Sequence, residues 1–505
     1  MKITAAQYHL ETSYDRHKMA GHFLDWENQP SVFKTYPGVT PIELPRKPPL
    51  PETTLCSLLK EAQAHSGMPP SLSIGDLSRI FLLSYSLTAK ARHAGGDFYY
   101  RSVASAGALY PSEIYVASCD VEGLENGLYH FSLAHHGLSL LRKGDMTPLI
   151  RDATRAPSTR ALVLTFFLSV IFFRSAWKYR ERSYRYHLLD TGHLIENLTL
   201  ALKALRLPFS LSYDFDDRRI NFLLGLDDIK EACLAIVQIP WTSTGQANAP
   251  PKVAEISENM KCASQVSPKE IDYPIIQQMH REGFDSVSPS KPDIDMLLEL
   301  GVSPLTWLKI EPPAPWPKTM NYPETIFHRR SRRNFVRKNL SRDCFLAILD
   351  ALCSSDKENA SGTPNYENSV CTGFITGNVE GFEPGFYLLD NASTSFGMIR
   401  HGFFIERMAR VCLDQMWLCN AGVHFVFVAN LQVLDRLWGA RGYRYAMMTA
   451  GRLGERLYLT AESMGLGCCG IGALYDYEAA EALGHNDQSS LLYLVALGAV
   501  KARSL

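Results

Sequence analysis

The chain lacks most of the features by which a sequence declares a simple role. Among its 505 residues, 51 basic side chains face 52 acidic ones, so there is no charge excess to hold a polyanion such as nucleic acid. The 11 cysteines form no C-x-x-C pair, and an odd count in a long chain suits neither a disulfide framework nor a zinc ribbon. No HExxH helix or other tight set of His, Cys and carboxylate residues points to a metal. Long apolar runs are missing too. The longest, ALVLTFFLSVIFF at 161–173, has 13 residues, whereas a bilayer span needs about 20. It reads as a buried strand with its continuation. The polar start, MKITAAQYHLETSYDRHKM, has no signal-peptide core, so a cytoplasmic protein without membrane partners is expected.

What is present is a repeat. The segment YRYHLLDTGHLIENL from Tyr184 returns as YRYAMMTAGRLGERL from Tyr443, an offset of 259 residues. That register continues without a gap through Gly192/Gly451, Glu196/Glu455, Leu207/Leu466, Asp217/Asp476 and Gly225/Gly484. Upstream, GLYHF matches GFYLL and LRKG matches IRHG, both at an offset of 258. A period this long excludes a solenoid and predicts a duplicated domain. Apolar residues at helical spacing place Tyr184 and Tyr443 in equivalent helices. Gly192 and Gly451 lie inside them, where glycine costs about 1 kcal/mol relative to alanine, so close helix–helix approach is expected there. The organisation reads as an extension over 1–50, a first domain over 51–240, a connector over 241–320 and a second domain over 321–505. Proline clusters, APP at 249–251 and PPAPWP at 312–317, mark the connector as semi-rigid.

Three motifs carry candidate chemistry. The second copy opens on HRRSRRNF, in which Arg329, Arg330, Ser331 and Arg333 form a convergent donor set for a phosphate and electron-rich ring oxygens. A solvated basic loop would also carry such a run. The first copy has YRSVASAGALYP, where Ala104, Ser105, Ala106 and Gly107 allow close backbone approach to a flat ligand, or simply a tight turn. Lys178 and Tyr179 follow the apolar run among Arg174, Arg180, Arg182 and Arg185, a surround expected to lower the phenol's pKa and make it a proton acceptor. The second copy has Leu437 and Trp438 there, so the shared fold does not require the pair. Gly465, Gly467 and Gly470 spell GxGxxG but follow a helix rather than a strand, which excludes a dinucleotide fingerprint and makes Gly465 a helix terminator. Cys468 and Cys469 read as packing residues.

Together, ASAGALYPSEIYV, GLYHF with LRKGD, WKYRERSYRYHLLDTGHLIENL, RRSRRNF and GLGCCGIGALYD resemble the nitroreductase superfamily, specifically SagB/ThcOx-type dehydrogenases. The resemblance implies an α+β fold in tandem, mixed or antiparallel sheets flanked by helices, folded back as a fused pseudo-dimer. It also implies an FMN-dependent oxidoreductase whose flavin lies between the two halves. Arg329, Arg330, Ser331 and Arg333 would contact its phosphate and ring. Cys469, Gly470 and Ile471 would lie beside it, and Ala104, Ser105, Ala106 and Gly107 would reach across from the first copy. Lys178 and Tyr179 match the pair implicated as base in azoline-oxidising relatives, with Tyr179 as the base itself. Ala104 stands where relatives usually have proline. The first copy has EAQAHSG near 61–67 where an Arg-Arg-Ser element is expected, and the second lacks Lys-Tyr, so one FMN per chain is predicted. The substrate would be a small molecule or a thiazoline- or oxazoline-bearing peptide. The alternatives are an NAD(P)H-dependent nitro or quinone reductase and a flavin-free, peptide-binding pseudoenzyme. Further homodimerisation is left open.

Overall fold

A computed structural model describes residues 2–501 except 20, 62–70, 94–95, 155–160, 242–257, 285–292, 318–319 and 355–365. Two seven-stranded sheets are built alike, and every pairing of neighbouring strands within them is antiparallel. The front sheet runs Ile42–Glu43, Gly137–Lys143, Gly127–Ser132, Ser112–Ser118, Ala161–Ile171, Glu231–Trp241, Ser210–Ser212. The rear sheet repeats that order with Leu308–Lys309, Ser395–His401, Gly385–Asp390, Cys371–Thr376, Val423–Asn430, Ser489–Gly498, Gly467–Ile471. The duplication read from the sequence is therefore a duplicated topology. Ser112–Ser118 and Val423–Asn430 are buried along their whole length, as strands covered on both faces must be, and helices supply the cover. The apolar run ends as expected: its strand stops at Ile171 and a helix, Phe172–Tyr179, takes over.

The halves meet through two long helices, Ser183–Ala204 and Arg441–Ser463. They cross where their glycines face each other. A Cβ on Gly192 would lie 2.1 Å from the Met448 carbonyl oxygen, and one on Gly451 would lie 2.2 Å from that of Leu189. The helical cost of glycine is thus offset by an approach no side chain permits.

Charge pairing obeys the same pseudo-symmetry. Asp476 in the rear half accepts from front-half Arg182 at 2.7 Å and Arg185 at 2.6 Å. Asp217 in the front half accepts from rear-half Arg441 at 2.5 Å and Arg444 at 2.7 Å. Glu196 takes Arg452 and Arg456, while its counterpart Glu455 lies 2.5 Å from His193. All but the partly buried Asp476 are buried, and the charges pair across the join, so losing one partner would leave another uncompensated.

The N-terminal segment packs on both halves. Its helix, Ala5–Glu11, donates Ala5 and Ala6 N–H to rear-half Asp435 at 2.7 and 3.0 Å. Buried Lys34 pairs with Glu231 and donates to Tyr115 of the front sheet. Among the described residues no helix is long and apolar enough to cross a membrane. The APP run at 249–251 lies outside the described residues, as does 62–67 of the EAQAHSG stretch.

Candidate active site

The front half contributes a helix end and a turn. The helix Phe172–Tyr179 is tied down by buried Arg174, which donates to the Glu113 carboxylate at 2.5 Å, the Tyr110 carbonyl at 3.1 Å and the Ser31 carbonyl at 2.9 Å. Arg180, at φ +49°, ends it, leaving Lys178 and Tyr179 at its C-terminus. The turn is held by Asp190 of the front helix, whose carboxylate accepts from Ser105 Oγ at 2.5 Å and Ala106 N–H at 3.1 Å. Gly107 follows at φ +65° and rests against the pair: a Cβ there would lie 2.7 Å from Tyr179 Oη and 3.4 Å from Lys178 Nζ. Only glycine suits both the dihedral and the space.

The rear half contributes the arginine-rich segment and an edge strand. Ser331 bridges to Cys468, and Arg332 N–H donates to the Cys468 carbonyl at 2.8 Å, which lays the segment along Gly467–Ile471. Tyr458 Oη joins the two, lying 2.9 Å from Ser331 Oγ and accepting from Gly470 N–H at 2.7 Å. Arg333 lies close enough to Cys469, Lys178 and Tyr179 to shift all three. Gly465, at φ +74°, terminates the long rear helix as its sequence position suggested.

Lys178, Tyr179 and Gly107 are thus brought together in the front half with rear-half Arg333 near them, and Cys469 and Ser331 lie beside Arg333 on the rear edge strand and the segment along it. Other predicted contacts are differently disposed. Arg329 is buried and donates to the Ser102 and Arg101 carbonyls at 2.7 and 2.9 Å, clamping rear half to front, while its Nη1 has no hydrogen-bond partner. Arg330 donates to the carbonyls of Phe327 and Arg329 and lies over the Tyr100 ring. Ala104 and Ile471 are buried in the apolar core. Cys468 and Cys469 are buried free thiols, consistent with packing roles.

The electrostatics correct one expectation. The cations around Tyr179 do not lower its phenol: burial pushes it well above the usual range, Tyr186, Asp190 and Tyr14 add to the rise, and Arg333 opposes it. Lys178 moves the other way, lowered by burial and by Arg333, and no carboxylate pairs with it among the described residues. Desolvation disfavours whichever form is charged, so the lysine becomes the readier base and the tyrosine a persistent donor.

Both residues line a cleft of about 1010 Å³, walled by the N-terminal segment on one side and by Ala473, Asp476 and Tyr477 on the other. Sequence reasoning missed several residues here. Tyr186 packs on Tyr179 with centroids 4.5 Å apart, Tyr14 lies near Tyr186, and Asp190 fixes the turn. Asp190 had left a signal, since the rear copy carries Thr449 at that register.

Comparison with known proteins agrees with this architecture. A stretch of 178 residues is 32% identical to the trifolitoxin-processing protein TfxB of Rhizobium leguminosarum bv. trifolii, covering 33% of this chain and 47% of that protein. Another of 143 residues is 27% identical to the microcin B17-processing protein McbC of Escherichia coli, covering 27% of this chain and 52% of that one. The chain thus spans roughly half the length of these curated relatives. A crystal structure described as a candidate nitroreductase from Anabaena variabilis superposes with a TM-score of 0.77 at 27% identity, covering 99% of this chain and 100% of that one. The profile of the Nitroreductase family matches residues 46–239 and again 326–499, most of both duplicated halves, and the chain belongs to that family.

Proposed function

We propose that the chain is an FMN-dependent dehydrogenase that oxidises a thiazoline or oxazoline ring in a peptide. The observation carrying this reading is the approach of rear-half Arg333, beside Cys469 of the edge strand, to front-half Lys178 and Tyr179, which themselves line a large cleft. Relatives named for processing trifolitoxin and microcin B17 support a peptide substrate.

The residues present fit a flavin mononucleotide. Arg329 Nη1 is a buried donor without a partner, Ser331 and Arg333 are exposed, and glycines at 470 and 472 bring the backbone close to the Tyr493 and Tyr186 rings. Guanidinium and hydroxyl donors suit a phosphate, and backbone close to a flat ring suits its heteroatoms. When bound, the flavin would supply the two-electron acceptor for a hydride. Arg333 and Ser331 would hold its polar groups. The Lys178 amine would take the proton from the ring carbon, and that C–H bond's electron pair would become the new ring double bond. The second hydrogen leaves as hydride, which balances the oxidation. Tyr179, protonated, would orient the ring by donating to it.

The pseudo-symmetric position is plugged. At the register of Gly472 the other copy carries Tyr213, which packs on Tyr366 of the turn after 365, two buried rings with centroids 4.4 Å apart. Tyr366 donates to Asp214 at 2.8 Å, and Tyr445 bonds the same carboxylate. A flavin titration of the purified chain should therefore saturate at one FMN per polypeptide. Two tight sites would overturn the single composite pocket, and none at all would favour a flavin-free binding protein.

A further inference from the structure

Asp190 stands out as the buried carboxyl that the chemistry above leaves unused. It sits on the helix Ser183–Ala204, 5% exposed, yet among the described residues it pairs with no cation. Its carboxylate accepts from Ser105 Oγ at 2.5 Å and Ala106 N–H at 3.1 Å. Ser105 Oγ in turn accepts from Tyr110 N–H at 2.9 Å, so one carboxylate organises the whole turn. That turn seats Gly107 on Tyr179 Oη and Lys178 Nζ.

The fold does not need a carboxylate here. The counterpart Thr449 donates its hydroxyl to the Tyr366 carbonyl at 3.1 Å and bridges the equivalent helix and turn without charge. A buried, uncompensated acid where a neutral hydroxyl suffices is a costly choice for mere packing.

We propose that Asp190 is a positioning residue that locks the turn at 105–107 over Lys178 and Tyr179 when ionised and loosens it when protonated. Burial pushes its carboxyl up to about 7, against two hydrogen bonds that favour the charged form. The groups facing it are Ser105 and Ala106 on the turn, Tyr179 on the preceding helix, and Tyr493 on the rear strand Ser489–Gly498. Lys178 and Arg333 lie behind Tyr179, and Tyr493 is held by His193 at 3.0 Å. Above pH 7 the carboxylate accepts charge-assisted bonds from both donors, and below it a neutral acid makes weaker ones.

The sign for stability is opposite to that for locking. A folded pKa above the unfolded value of about 3.9 means that the folded state holds the extra proton between the two. Stability from this group is full below about pH 4 and falls as pH rises toward 7. The lock tightens over the range in which the fold loses a little stability.

The test compares wild type with Asp190→Asn and with Asp190→Thr, the residue the rear copy tolerates. Wild-type FMN affinity should tighten about tenfold from pH 6 to pH 8, as charge-assisted bonds replace neutral ones. Both variants should show a flat profile, with melting temperatures that gain on wild type as pH rises. Amide hydrogen exchange of the flavin-free chain gives an independent reading: the protection factor of the Ala106 N–H should rise through pH 7 in wild type and stay flat in the variants. The affinity readout rests on the flavin proposal, whereas the exchange readout does not. No FMN binding by wild type with the exchange step intact would sink the flavin reading alone. A variant that keeps the pH step in exchange, or loses melting temperature equally at pH 5 and pH 8, would overturn the role given to Asp190.

Discussion

Lys178→Met should lower the rate of azoline oxidation by about 10²–10⁴-fold, the usual worth of a positioned general base. Flavin content should be unchanged, because Lys178 holds no phosphate and makes no ion pair among the described residues. The measurement is single-turnover bleaching of bound flavin by an azoline peptide, with the visible spectrum reporting occupancy. Tyr179→Phe gives the contrast. It removes only a neutral donor, so about a tenfold loss is expected, near the value of one hydrogen bond. The pH profile should separate the two residues as well. An amine is a base only when unprotonated, so the wild-type rate should climb with pH through a limb below the ordinary lysine range. That limb should vanish in Lys178→Met and survive in Tyr179→Phe. A tyrosine variant that is dead and without a limb, beside a lysine variant that is merely slow, would return the base to the phenol.

How much of this was legible in the sequence depends on whether a residue's role follows from its register. Gly192/Gly451, Glu196/Glu455 and Asp217/Asp476 stood out because a pseudo-dimer uses each position twice, once from either side of the join. The offset also foretold that the two sheets would be alike, though not their strand order. Arg329 is the opposite case. Its residue type suited a ligand, but its Nε and Nη2 are taken by the carbonyls of residues 102 and 101, more than two hundred positions away, leaving only Nη1 without a partner. No local pattern encodes a neighbour that only the tertiary fold supplies. Tyr179 failed for a related reason: the arginines around it in sequence are turned elsewhere, Arg182 to Asp476 and Arg174 to Glu113, so burial decides its ionisation. Tyr213, which stands at the register of Gly472, and the carboxylate at 190, at that of Thr449, were visible only as differences between copies. A repeat shows what the fold needs through its agreements and what one site needs through its disagreements.

The second large effect belongs to the crossing of the long helices. Gly192→Ala adds a single carbon, which would lie 2.1 Å from the Met448 carbonyl and 2.9 Å from the Arg452 amide nitrogen. Those are backbone atoms of a facing helix, so no side chain can rotate away and the helices themselves must separate. The loss should exceed about 3 kcal/mol, the upper range for ordinary overpacking. That corresponds to a melting-temperature drop of at least ~3 °C for a body of this size. Gly451→Ala should behave alike, since its Cβ would meet the Leu189 carbonyl at 2.2 Å. Gly75→Ala is the control. It is also helical, but its added carbon meets only Ser73 Oγ at 3.4 Å, so a gain of up to about 1 kcal/mol is expected from helix propensity. The consequence reaches the site. Lys178 and Arg333 belong to opposite halves, and the crossing sets the distance between them. Spreading the helices should weaken FMN binding in step with the fall in melting temperature. A Gly192→Ala chain that melts early yet binds FMN with wild-type affinity would mean that one half alone grips the cofactor.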